Sequence, residues 1–88
     1  MIEKIFFLTV VDQQIAAVSK GVLNIWTVYD HPKDHPEGYI ARCFEMDQPT
    51  NITIAGELDD IRECFERIGL VCIHRAPTDD PVIMETWV

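Results

Sequence analysis

The segment from Gly56 to Gly69 constrains the fold more than any other part of the chain. Leu58, Ile61, Phe65 and Ile68 recur at spacings of three, four and three, with Cys64 beside them. That spacing lays one apolar stripe along an α-helix. Glu57, Asp59, Asp60, Arg62, Glu63, Glu66 and Arg67 fall opposite the stripe. Acids crowd the first turn and Arg67 comes near the end, which suits the helix dipole. Glu63 and Arg67 are spaced for an i,i+4 pair, and Gly69 supplies the stop. A helix with one apolar stripe needs a surface to bury it against, and the remaining segments read mostly as strands.

Ile5 to Val11 is a continuous apolar run, rich in β-branched and aromatic residues, and predicts a buried strand. Asp12 then caps a short helix over Gln13 to Lys20, with Gly21 as its stop. Val22 to Tyr29 and Tyr39 to Met46 predict an antiparallel hairpin whose tip, Asp30 to Gly38, is stiffened by Pro32 and Pro36. Asp47-Gln48-Pro49-Thr50 reads as a break and Asn51 to Ile54 as a brief strand. Leu70 to Arg75 and Pro81 to Val88 complete the set, joined by the turn-rich stretch Ala76 to Asp80. The expected fold is α+β, a four- to five-stranded, mostly antiparallel sheet with one long amphipathic helix packed on one face, in the order β-α-β-β-α-β-β. One helix covers little more than one face of such a sheet. The other face is then solvated, covered by the N-terminal segment, or buried against a second copy in a homodimer.

A chain of 88 residues has room for one core, so residues 1–88 are expected to form a single domain. No apolar run approaches the roughly 20 residues needed to cross a bilayer, and the expected protein is soluble. The Ile5–Val11 run is too short for a secretory signal, Asp12 interrupts it, and Glu3 offsets Lys4. Cys43, Cys64 and Cys72 are odd in number and far apart, which fits reduced thiols in the cytoplasm. Fifteen acids against seven scattered bases give a formal charge of −8. Such a surface repels phosphate backbones and anionic membranes, so neither direct nucleic-acid binding nor membrane binding is expected. A basic protein partner is.

Three constellations bear on chemistry. Asp30, His31, Asp34 and His35 make two Asp-His pairs in one loop, a donor set compatible with a divalent metal. Pro32 and Pro36 each follow a histidine and remove the helical geometry of an i,i+4 metal motif, so the plainer reading is a rigid hairpin tip with Asp side chains closing turns. Cys72 and His74 lie two apart on a predicted strand, the minimum geometry for a thiolate–imidazole pair, although a cysteine among Leu70, Val71 and Ile73 is more often a core residue. The acidic helix face is a solvated surface by default and a docking surface for a basic groove by function. No glycine-rich phosphate loop or nucleophile elbow occurs. The expected protein is therefore a non-enzymatic interaction module without a cofactor. Its partner-facing residues are Glu57, Asp59, Asp60, Glu63 and Glu66 on the helix, Asp30, Asp34 and Glu37 on the loop, and Trp87 near the C-terminus. The alternatives are a metal-binding protein or metal-dependent enzyme using His31, His35 and Asp34, and a homodimeric structural module.

The segments Trp26-Thr27-Val28-Tyr29-Asp30-His31-Pro32, Tyr39-Ile40-Ala41-Arg42, Gly56-Glu57-Leu58-Asp59-Asp60-Ile61-Arg62 and Asp79-Asp80-Pro81-Val82-Ile83-Met84-Glu85-Thr86-Trp87 together resemble a group of small bacterial and phage proteins. The likeness covers about two thirds of the chain and implies no particular activity. It leaves residues 1–24 as an N-terminal extension. In size and charge alone the chain is also similar to anti-CRISPR inhibitors, which implies a protein of phage or mobile-element type that blocks a host nucleic-acid-binding complex.

Overall fold

The computed structural model describes residues 4–33, 36–74 and 83–88. The elements run α1 (Lys4–Lys20), β1 (Asn24–Asp30), β2 (Tyr39–Glu45), β3 (Gln48–Gly56), α2 (Leu58–Ile68), β4 (Cys72–His74) and β5 (Ile83–Trp87). The five strands form one sheet in the order β3-β2-β1-β5-β4, and its four pairings are all antiparallel. The α+β class, the antiparallel sheet and the β1–β2 hairpin agree with the expectation, but the order is α-β-β-β-α-β-β.

The difference lies at the N-terminus. Where a strand and a two-turn helix were expected, residues 4–20 form one helix of 17 residues. Its apolar residues are spread around the cylinder, so the run carries no sharp 3.6-residue signal, and a short apolar run by itself does not distinguish strand from buried helix. Val10 and Ala17 face inward and are buried, whereas Ile5, Leu8, Ile15 and Val18 are exposed. Asp12 is an exposed residue in mid-helix, not a cap. The expected stop is present: Gly21 has a φ of 71°, and Val22 N donates to Ala17 O at 3.0 Å.

Residues paired across strands share a face. Trp26 pairs with Cys43 on one side and Trp87 on the other, and Val28 with Ala41 and Glu85. These side chains face both helices. The core is Val10 of α1, Trp26, Val28, Ala41, Cys43 and Ile54 of the sheet, Ile61, Cys64 and Phe65 of α2, and Trp87. The N-terminal helix thus lies beside α2 on the same face and does not cover the other. Ile25, Tyr29, Arg42, Phe44, Ile73 and Thr86 alternate onto that other face, where no helix lies among the described residues. There the Arg42 guanidinium sits 5.6 Å from the centroid of the Tyr29 ring.

One glutamine ties α1 to the sheet. Trp26 Nε1 donates to Gln14 Oε1 at 3.2 Å, and Asn24 Nδ2 donates to Gln14 Oε1 at 3.1 Å and to Gln13 O at 2.7 Å. Both strand residues are buried, so losing the acceptor leaves the Trp26 indole N–H without its partner and Asn24 Nδ2 with only its bond to Gln13 O. Gln14→Leu is expected to cost about 1–2 kcal/mol in a urea titration; a loss within a few tenths would show that water takes over these bonds.

The expected break at residues 47–50 is also displaced. The chain turns at Met46, whose φ of 58° is left-handed, and β3 already begins at Gln48. Pro49 is tolerated inside β3 because this is an edge strand, where a missing N–H need not pair. Thr50 Oγ1 donates to Cys43 O at 2.8 Å beside the bulge in the β2–β3 ladder.

Candidate interaction surfaces

α2 follows the sequence expectation closely. Its C-terminal Gly69 has a φ of 94°, and Gly69 N donates to Glu66 O at 3.1 Å. Arg67 Nη2 donates to Glu63 Oε1 at 3.1 Å, the anticipated i,i+4 pair. Glu57, Asp59 and Glu66 are exposed, whereas Asp60 is half-buried.

The sheet register brings these acids to the hairpin tip. Asp30 pairs with Tyr39, and Tyr39 pairs with Gly56, the residue before Glu57. A Cβ on Gly38 would stand 3.9 Å from Gly56 O, so the end of the loop runs close to the entry of α2. Asp30 and Glu37 from the loop therefore lie at the same end of the sheet as Glu57, Asp59 and Asp60. The loop is closed by His31 N donating to Gly38 O at 2.9 Å. His31 has a left-handed φ of 49°, its Nδ1 pairs with the Asp30 carboxylate, and its ring meets Tyr39 edge-on at 5.2 Å. Asp34 and His35 lie outside the described residues, as do Asp79 and Asp80. Among the described residues no group of three or more His, Cys, Asp or Glu side chains could hold a metal.

Trp87, expected among the partner-facing residues, is 4% exposed. Its strand β5 sits between β1 and β4, inside the sheet. The Phe65 ring lies between Trp26 and Trp87, with centroid separations of 5.5 and 5.4 Å. Trp87 Nε1 donates to Glu85 Oε1 at 3.1 Å, and Arg62 of α2 reaches the same carboxylate with two bonds of 3.0 Å. Burial pushes the Glu85 carboxyl up, but its bonds from Arg62 and Trp87 outweigh this and hold it below its ordinary value. Sequence reasoning missed this buried ion pair. Glu85 inside a strand facing Val28 was its signal, since a carboxylate at a core-facing position needs a partner.

Cys43 and Cys64 are buried, as expected, and burial pushes the Cys64 thiol up to about 11. Cys72 departs from the core reading: it is exposed, on edge strand β4. Burial of its sulfur and the neighbouring Glu85 carboxylate raise its pKa, the opposite of an activated thiolate. No described helix is long and apolar enough to cross a membrane. Comparison with protein-family models, curated proteins and solved structures finds no match to this chain.

Proposed function

We propose that this protein is a non-enzymatic interaction module whose acidic end docks on a basic protein surface. The observation that carries this reading is the Asp30–Tyr39–Gly56 register, which gathers acids from two segments that are twenty residues apart at their nearest, Glu37 and Glu57. Glu63 and Glu66 continue the acidic surface along α2. The two arginines of α2 do not offset it freely, because Arg62 is bound to Glu85 and Arg67 to Glu63. Helix-dipole stabilisation accounts for Asp59 and Asp60 in the first turn; it does not account for Asp30, Glu37 or Glu66. A surface of this kind suits a groove built for phosphates, with carboxylates in their place. The narrower form of the proposal is an inhibitor of a nucleic-acid-binding complex, in keeping with the resemblance to phage proteins.

The test is a pull-down with the tagged protein, followed by affinity measurements on the captured partner with increasing salt and with competing DNA. Affinity is expected to fall with salt, DNA is expected to compete, and Glu63→Lys with Glu66→Lys is expected to weaken binding at least about tenfold, or about 1.4 kcal/mol. Both side chains lie on the outer side of α2, and the Arg67 pair that Glu63→Lys gives up is a solvent-exposed i,i+4 pair worth only about 0.3–0.5 kcal/mol, so the fold is kept. Unchanged affinity in the double variant, or binding indifferent to salt, would refute electrostatic docking.

A further inference from the structure

The two edges of the sheet are protected unequally. An exposed edge strand offers its main-chain groups to any extended segment, and proteins blunt such edges with short strands, prolines, bulges and charge. At one edge, β4 is only three residues long. At the other, Pro49 and a bulge guard the first half of β3. The register steps from Arg42–Thr53 to Phe44–Pro49, so residues 50–52 stand opposite Cys43 alone. The second half, residues 53–56, keeps a regular ladder and has no proline and no charged side chain. It runs straight into Glu57 and the acidic end. We propose that this half of the edge accepts an extended segment of the basic partner as a sixth strand, antiparallel to β3, with a lysine or arginine opposite Glu57.

The hydrogen-bond polarity of the sheet shows which groups are on offer. In an antiparallel sheet a residue turns both main-chain groups toward one neighbour, and the next residue turns them toward the other. His31 N donates to Gly38 O and Met46 N to Leu23 O, each at 2.9 Å. In step with these two contacts, Ile40 and Arg42 turn toward β1, so Tyr39, Ala41 and Cys43 turn toward β3. The bond from Thr50 Oγ1 to Cys43 O agrees. Tyr39 and Ala41 pair with Gly56 and Ile54, which leaves the N–H and C=O groups of Thr53 and Ala55 turned outward. No described strand lies on that side. Glu57 is next in the same alternation. Its backbone is still extended, with φ −72° and ψ 144°, its side chain is exposed, and its carboxylate does not cap α2.

Charge selects the occupant, and in this the inference rests on the acidic-end reading. An antiparallel strand bonded to Ala55 and Thr53 places one residue opposite Glu57 and sets the residues two and four later opposite Ala55 and Thr53. Opposite charges at directly opposed positions stabilise a strand pair, and like charges destabilise it. The first of these residues is therefore basic. The others are uncharged residues suited to a strand, because residues 53–56 carry no charge to match. The main-chain bonds supply affinity, and the basic residue sets direction and register. A second copy of the chain is the poorer occupant: β3 contains no lysine or arginine to set opposite Glu57, and each copy carries −8.

The probes are two short peptides blocked at both ends, Lys-Thr-Val-Thr-Val and Glu-Thr-Val-Thr-Val, titrated into the full chain at millimolar concentration and followed by two-dimensional amide NMR. The lysine peptide is expected to shift the amides of Thr53, Ala55 and Glu57 and to bind at least about fivefold more tightly than the glutamate peptide. Glu57→Lys is expected to reverse that preference, which a merely structural role for Glu57 would not do. Ala55→Pro removes an outward N–H and is expected to abolish the shifts; should that variant fail to fold, the wild-type and Glu57→Lys titrations decide. Strand addition is overturned if neither peptide binds, if both bind equally, or if the shifts fall elsewhere. It is also overturned if concentrating the chain alone shifts Thr53 and Ala55, which would put a second copy in that place. The two proposals fail separately. A captured partner weakened by Glu63→Lys with Glu66→Lys, while neither peptide moves the β3 amides, keeps docking on the acidic end and removes strand addition.

Discussion

Phe65→Ala is expected to remove a large share of the folding stability. The Phe65 side chain is fully buried, and its ring is tilted by 44° against Trp26 and 46° against Trp87. It is the contact through which α2 grips two neighbouring strands, β1 and β5. Truncating a buried phenylalanine to alanine costs about 3–5 kcal/mol, and the loss includes two aromatic pairs of about 0.5–1.5 kcal/mol each. A domain of this length has a total stability on the order of 4–13 kcal/mol, so the substitution removes a large share. Urea unfolding followed by tryptophan emission reads the effect directly, because both tryptophans lie against the missing ring. Phe65→Leu, which keeps most of the volume, should lose well under half as much. Equal losses for alanine and leucine would mean that ring contact, not filled space, holds the helix down.

How much of this architecture was legible in the sequence depended on whether local pattern and tertiary environment agree. They agree at α2, where one apolar stripe faces one sheet, and the helix, its glycine stop and the Glu63–Arg67 pair all follow. They agree at the β1–β2 hairpin, where prolines bracket the tip. They disagree at α1, whose outward Ile5, Leu8, Ile15 and Val18 blur the periodicity that marks a helix resting on a core. Pro49 misled for a different reason: a proline argues against a central strand, and only the strand order reveals that β3 is an edge.

The surface was legible in composition but not in arrangement. Each acid could be named from the sequence, yet the meeting of the hairpin tip with the start of α2 follows from the alignment of Asp30, Tyr39 and Gly56 across three strands, which no local pattern encodes. Nearness to a terminus was also a poor guide. Trp87 precedes only Val88, and the crossover through α2 and β4 nonetheless puts β5 inside the sheet. Cys72 sits level with Trp87 in the register but on the outermost strand, and it is exposed. Position within the sheet, not distance along the chain, decides burial here.

The Arg62–Glu85 pair yields the second large effect. Glu85 keeps 10% of its side chain exposed, and Arg62 keeps 40%. Arg62→Met removes the cation and leaves a carboxylate inside the sheet–helix interface with the Trp87 indole and the weak Cys72 thiol as donors. Breaking a fully buried pair costs about 3–5 kcal/mol; the exposure of Arg62 lowers the expected loss to about 2–3 kcal/mol. The pair also sets a pH dependence. The folded pKa of Glu85 is below its ordinary value of 4.5, so its contribution is complete above about pH 4.5 and disappears as pH falls through the folded value. Neutralising the other acids has the opposite sign, because it relieves the self-repulsion of a chain at −8. The informative quantity is thus the difference between wild type and Glu85→Gln, measured by urea unfolding at pH 7 and again in acid. Wild type should be the more stable at pH 7 and should lose that advantage in acid, when both side chains are neutral. A difference independent of pH would show that Glu85 contributes through packing and its tryptophan bond, with the ion pair to Arg62 energetically silent.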